Sequence, residues 1–280
     1  SILSATTLTA IGVSISTYFM SSQSVDEYAP FSYTLKMDNK NYIREFEEKL
    51  NKSTNHKLID KAEFTYITKE SSDKNDFGYF DEYEVISISN LNKLLKLKDK
   101  NTVERIGDNE FIHIYPKEND FSHIDSIDIK NNDNNINLKL KSDLDEKLYN
   151  SMAPQNTIVV SDGMFKELES NNKLNNYYIY NISNQKDGEK FDRIVSDLTE
   201  KYAVGDYKKS VDSLVDSYYI TFKDAFTTSG IMVFIGVFVG LVFLVCTGSV
   251  IFFKLLSEAH DEAPRYNILE KVGVDKGDIK

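Results

Sequence analysis

From Gly230 to Phe253 the chain runs GIMVFIGVFVGLVFLVCTGSVIFF, 24 residues without a charge, and the uncharged run reaches back to Ala225. As a helix it would be roughly 36 Å long, enough to cross a hydrocarbon core about 30 Å thick with some tilt. The competing reading is a buried helix of a water-soluble protein. Such helices carry a polar stripe, and this stretch carries none for six turns. Residues 1–22, SILSATTLTAIGVSISTYFMSS, are also uncharged but dotted with Ser and Thr, whose hydroxyls can bond back to the carbonyl four residues earlier. A signal peptide is the alternative there, yet the segment has no basic start and no clear small-residue cleavage site. The expectation is a second membrane helix, in a piece cut from a longer protein.

Between the two runs the pattern shortens. Phe31–Met37 alternates apolar and polar residues as a half-buried strand does, and Asp38 is placed to cap a helix carrying Tyr42, Ile43, Phe46 and Leu50. Strands are expected at Ala62–Thr68 and Tyr83–Ser89, with a loop at SSDKNDFG between them. VISISNLNKLLKLKD reads as strand, a cap at Ser89 or Asn90, then helix. TIVVSDGMFKELES (157–170) repeats the design with Ser161 or Asp162 as cap. Each is followed by an apolar-rich strand, 109–115 and 176–182. The two units read either as an internal repeat or as two ordinary pieces of one mixed sheet. KNNDNNIN (130–137) is a polar turn, and Asn137–Lys141 follows as a strand.

Phe191, Ile194, Val195, Leu198 and Tyr202 mark one face of a further helix. Leu214, Tyr218, Phe222 and Phe226 then recur every four residues, with Val215 and Tyr219 beside them, as an amphipathic stalk leading into the apolar run. After Phe253 the helix is expected to continue through KLLSEAHDE. Pro264 suits the first turn of a new short helix, which Gly273 can end. The predicted fold class is an α+β domain, a mixed sheet with short helices, inserted between two transmembrane helices. Its parts are a membrane helix at 1–25, the domain at 26–211, the stalk at 212–228, a membrane helix at 229–253 and a helical segment at 254–280.

Charge sharpens this picture. Of 33 Lys/Arg and 44 Asp/Glu in 280 residues, residues 254–280 hold five and six, and residues 1–25 and 229–253 hold none. That leaves 28 bases and 38 acids, a net of −10, in residues 26–228. An acidic middle argues against nucleic acid, which needs clustered Lys/Arg on its phosphates. It could steer cationic peptides, or serve solubility alone. The single cysteine, Cys246, lies in the apolar run, so the domain must be held by its core, for which it has most of the 17 Tyr and 17 Phe. Two membrane helices joined by a long domain put both ends on one side. Five bases follow the second run against three (Lys208, Lys209, Lys223) just before it, which places the ends in the cytoplasm and 26–228 outside.

No catalytic chemistry is legible. His56, His113, His123 and His260 have no second His or Cys at metal-ligand spacing, and no P-loop, dinucleotide or nucleophile-elbow motif occurs. No cofactor or metal site and no enzymatic activity are expected. Gly236-Val-Phe-Val-Gly240 is a G-x-x-x-G that would let another helix approach closely, and Gly248 adds a third small position.

The last fifty residues carry a resemblance. A Gly-rich helix with the step Thr247-Gly248-Ser249 runs into Phe253-Lys254 and Leu256-Ser257-Glu258-Ala259. Arg265-Tyr266 then stands with Ile268-Leu269 and Lys271-Val272-Gly273. This resembles FtsX-like ABC-transporter permeases, most of all the BceB-type branch associated with resistance to peptide antibiotics such as bacitracin. LTAIGVSISTYF is similar to the helix entering that family's large extracellular domain, and VISISNLNKLL to a segment within it. Pro264 departs from the charged residue expected before Arg265. The resemblance implies the seventh and eighth helices of a ten-helix, multi-pass bacterial cell-membrane protein. It also implies a separate ABC ATPase subunit meeting Arg265, Tyr266, Ile268, Leu269, Lys271 and Gly273. Further implied partners are a peptide antibiotic or lipid-linked cell-wall precursor at the domain, membrane lipid, and a sensor histidine kinase. The alternative is a two-helix sensor with an extracellular ligand-binding domain.

Overall fold

The computed structural model describes residues 9, 11–13, 15, 16, 25–70, 82–115, 124–132, 134–150, 156–202 and 215–272. The chain divides into two compact units, 23–224, and 1–22 together with 225–280.

Within the first unit, nine strands form one mixed sheet among the described residues. They are β1 (Tyr33–Lys36), β2 (Leu58–Glu70), β3 (Glu82–Ser87), β4 (Glu110–Ile114), β5 (Ser126–Asn131), β6 (Asn134–Leu144), β7 (Thr157–Val160), β8 (Asn175–Ile182) and β9 (Val215–Ser217), in the order β5-β6-β4-β7-β3-β2-β8-β1-β9. Two neighbouring pairs run parallel, β3 with β7 and β4 with β6, and the rest antiparallel. Side-chain alternation splits the core by face. On one face, α2 (Ile88–Leu97) buries Leu91, Leu94 and Leu95 against Ile86, Ile112, Val159, Tyr177 and Ile179. On the other face, α3 (Asp162–Glu169) buries Met164, Phe165 and Leu168 against Val85, Phe111, Ile158 and Val160. The same face carries α1 (Lys40–Lys52) and α4 (Glu189–Tyr202), which enclose Tyr33, Phe46, Tyr178, Tyr180 and Phe191. Phe46 sits edge-on to Tyr33 and Phe191, at ring separations of 5.5 and 5.7 Å.

The α+β mixed sheet follows the sequence pattern; several local expectations do not. Asn39, not Asp38, caps α1, accepting from the amides of Asn41 and Tyr42, because Asp38 is engaged by the amide and side chain of Asn176 on β8. Ser87, not Ser89 or Asn90, caps α2, since β3 stops there and its hydroxyl accepts from the Asn90 amide. Ser89 instead bonds Asp162 at the start of α3. Ser161 caps α3, as its spacing predicts. The polar turn at 130–137 shrinks to two residues between the paired Asn131 and Asn134, with Asn132 left-handed, and both flanks become strand. The two strand–helix–strand units are not a topological repeat. Their helices lie on opposite faces, and the register makes β4 antiparallel to β3 while β8 runs parallel to β7.

The stalk begins later than 212. Val215–Ser217 pairs with β1 as β9, and the helix starts at Tyr218, whose amide bonds the Ser32 carbonyl. Leu214 and the loop 71–78 lie outside the described residues. This last helix, α5, runs from Tyr218 to Lys271, 54 residues. The expected break before Pro264 is absent: proline removes one donor, but the helix continues through it. Gly273 lies outside the described residues. So does most of 1–25, of which Thr9, Ile11–Val13, Ile15 and Ser16 are helical, as is a turn at 25–28.

Candidate functional site

Among the described residues, α5 is the one helix long and apolar enough to cross a membrane. Its apolar side chains face outward: Phe234 is 70% exposed, Val245 69% and Phe253 66%. In water that surface would be an extreme apolar patch, whereas lipid is its natural solvent. Polar groups within the run are satisfied internally. Thr247 donates to the Phe243 carbonyl at 2.7 Å and Ser249 to that of Val245 at 2.9 Å.

The residues between Ala225 and Phe253 that are not fully exposed are Ala225, Phe226, Ser229, Val233, Gly236, Gly240 and Thr247. From Phe226 their spacing alternates three and four and then steps seven, a heptad-like spacing that keeps one face of the helix. Gly236 and Gly240 therefore share a shielded stripe. Gly248 stands beside it, exposed, with nothing within 4 Å of the position its Cβ would take. Beyond the run, Lys254 pairs with Glu258 at 3.6 Å. Arg265, Ile268 and Lys271 project to the surface, and Ile268 and Val272 add exposed apolar area at the helix end. The side chains of Tyr266 and Leu269 lie outside the described residues.

The domain holds polar chemistry that alternation alone does not reveal. On the face carrying α2, Glu84 of β3 accepts from Tyr149 and, at 2.9 Å, from Tyr177, and pairs with Lys36 at 2.9 Å. The Lys36 ammonium also lies 5.1 Å from the Tyr66 ring centre and 5.6 Å from that of Tyr177. Burial, and after it the nearby Glu84 carboxylate, drives the Tyr149 phenol far above its ordinary range. Burial likewise raises that of Tyr177. Asp216 on β9 is raised to about 6 by burial, with Lys147 and Lys36 opposing. On the other face, Asp192 is held by Tyr33 and Ser217. Glu146 is clamped by Lys98 and Lys100, whose bonds outweigh burial and hold its carboxyl below the usual range. The carboxylates of Glu84, Asp192 and Glu146 are satisfied by these partners, and the described groups place no nucleophile beside a base. Among the described residues no cluster of three His, Cys, Asp or Glu could hold a metal. Nothing in the sequence signals the Glu84 network, because Lys36, Glu84, Tyr149 and Tyr177 are far apart in the chain and meet only through the β1–β8–β2–β3 order.

No protein-family model matches the chain. The chain is similar to the bacitracin export permease protein BceB of Bacillus subtilis, 27% identical over 128 residues, covering 44% of this chain and 18% of that protein. The BceB protein of Halalkalibacterium halodurans is 40% identical over 52 residues, 19% of this chain and 8% of the relative. The ABC transporter permease protein YxdM of B. subtilis is 27% identical over 122 residues, 44% and 19%. The matched regions thus span less than a fifth of each relative's length.

Proposed function

We propose that this chain is part of the membrane permease subunit of an ABC transporter, with 229–253 crossing a bacterial membrane and 26–228 outside it. One observation carries the reading: sequence similarity to three permeases, two named for bacitracin export, in a chain with a long, outward-facing apolar helix. Residues 1–25 form the second membrane helix of the pair, and Gly236 and Gly240 let a neighbouring helix approach. The subunit carries no reaction of its own. ATP hydrolysis belongs to a separate subunit, met on the cytoplasmic side by Arg265, Tyr266, Ile268, Leu269, Lys271 and Gly273. The domain senses or grips a peptide antibiotic or its lipid-linked target, and a sensor histidine kinase is a further partner.

The test is co-expression of the gene, with its native flanks, and the neighbouring ATPase gene. Co-purification, with an ATP hydrolysis rate that changes on adding a cell-wall-directed peptide antibiotic, is the expected result. Co-purification without that response would keep the permease and remove the antibiotic. Failure to associate, with a kinase or methyl-accepting module encoded downstream, would replace the permease by a membrane sensor.

A further inference from the structure

In a domain of net charge −10, one cavity has no acidic side chain in its wall. It measures about 270 Å³ and lies where the end of α1 meets the start of α4. Lys49, Lys52 and Lys190 surround it, with Ser53, Thr54 and His56 lining its polar side and Phe191 and Ile194 its apolar side. Lys49 and Lys52 complement the negative end of the α1 dipole, which explains two lysines there. It does not explain a third arriving from another helix. Among the described residues none of the three makes an ion pair, so their charge is left to a ligand or to solvent.

His56 supplies the second observation. It is 3% exposed, and its Nδ1–H donates to the Ser183 carbonyl at 3.1 Å, since a carbonyl only accepts. The ring rests against Phe191 at 5.7 Å. This fixes the imidazole and leaves Nε2 with no partner among the described residues, on a side chain that lines the cavity. Its wall is held in place as well. The His56 amide donates to the Ser53 hydroxyl at 3.2 Å, and Asn184 to the Asn55 carbonyl at 3.0 Å. Asp192 on α4 is taken up by Tyr33 and Ser217.

We infer that this cavity binds a phosphate group. Three ammonium groups suit an anion of more than one charge, and lysine is a phosphate binder as a point charge. With Nδ1 engaged by the Ser183 carbonyl, Nε2 is the ring atom left to meet a ligand. A hydrogen phosphate carries both P–O⁻ acceptors and a P–OH donor and so meets Nε2 in either role, while an ionised carboxylate only accepts. The hydroxyls of Ser53 and Thr54 complete a donor and acceptor set. The space exceeds that of the bare ion, and the Phe191–Ile194 side leaves room for an apolar or sugar part of a phosphorylated molecule. The inference stands apart from the permease reading, which uses none of these residues.

Two arms test it on the full chain. Calorimetric titration in a neutral detergent with inorganic phosphate is expected to give one saturable site. Lys49→Gln, Lys52→Gln and Lys190→Gln combined should weaken it at least tenfold. The charge-matched control Lys93→Gln, Lys96→Gln and Lys166→Gln should leave it within twofold, and both variants should keep the parent's thermal unfolding. In the second arm, the chain in phosphatidylcholine nanodiscs with and without phosphatidic acid is treated with an amine-reactive reagent. Protection of Lys190 only with phosphatidic acid assigns the phosphate to a lipid headgroup, and saturable binding of the free ion assigns it to a soluble source. No saturable binding together with no protection overturns the site, as does equal weakening by the cavity triple variant and its control.

Discussion

Phe46 and Phe234 are the same side chain in opposite settings, one 0% exposed among aromatic rings and the other 70% exposed on α5. The domain hides its Tyr, Phe and Ile between a sheet and four short helices and shows charge to its surroundings. The apolar half of α5 shows its Phe, Val and Leu and shields mainly Ser, Gly, Val and Thr. Both obey one rule, that each apolar surface is matched to its solvent. Under the proposed function, the inversion along one chain marks a change of solvent from water to lipid. Small residues on the shielded stripe of α5 suit the proposed reading, since between helices in lipid close backbone approach replaces the hydrophobic effect as the source of contact energy.

The largest expected effect tests the inversion itself. Phe46→Ala should destabilise the domain by about 3–5 kcal/mol, whereas Phe238→Ala on α5 should leave domain unfolding within about 0.5 kcal/mol. Tyrosine-fluorescence melts of the full chain in detergent read both. Equal losses would mean that α5 is an ordinary core helix.

Next comes Asp216. Its folded value of about 6 lies above the ordinary 3.8, so between them the folded state binds more protons than the unfolded. The contribution of Asp216 to stability is therefore fully present below pH 3.8 and is lost as pH rises through 6, by up to roughly 3 kcal/mol for about two pH units. Asp216→Asn should be more stable than the parent at pH 8 and flatten this dependence between pH 4 and 6. Denaturant midpoints across that window check it, and an unchanged slope would relocate the titrating group.

A smaller cost is expected at Gly188, where an added Cβ would meet the Cβ of Tyr219 at 2.9 Å. Neither atom is at the end of a flexible chain, so Gly188→Ala should cost about 1–3 kcal/mol in the domain melt. An alanine at Gly230 or Gly248 on α5, with nothing within 4 Å, should cost the domain nothing. The smallest effect has the opposite sign. Asp99 is left-handed (φ 54°) after α2, with the Lys100 amide bonding the Leu95 carbonyl and the Asp99 amide that of Lys96. Asp99→Gly should therefore raise stability by a few tenths to about 1 kcal/mol in the same melt.

The sequence made legible what depends on periodicity. The strands around Thr34, Phe64, Val85 and Ile179, the helices bearing Phe46, Phe165 and Val195, and the apolar run of α5 all stand where the spacing predicts. Features decided by partners distant in the chain were not legible. Asp38 loses the cap of α1 because Asn176 claims it, and Ser89 loses that of α2 to Asp162. Ser126–Asn131 escaped as a strand because its Ile127 and Ile129 are masked by polar neighbours and pair with β6 through an Asn-rich turn. The stripe of Gly236 and Gly240 was half visible as a G-x-x-x-G. Its extension to Ser229, Val233 and Thr247 needed burial to be seen. The lysine-lined cavity was invisible, because Lys49, Lys52 and Lys190 join only when α1 and α4 share a face.

The central claim, that α5 carries the chain from an exterior domain through a membrane, is tested most directly by thiol labelling in intact cells. Cys246 is the single cysteine of these 280 residues, so Cys246→Ser, expressed as this chain, gives a silent background for Lys166→Cys in the domain and Ser257→Cys beyond the apolar run, both at exposed positions. The account predicts that a membrane-impermeant maleimide labels position 166 in intact cells and position 257 only after permeabilisation. Labelling of both positions from outside, or of position 166 only after permeabilisation, would contradict it.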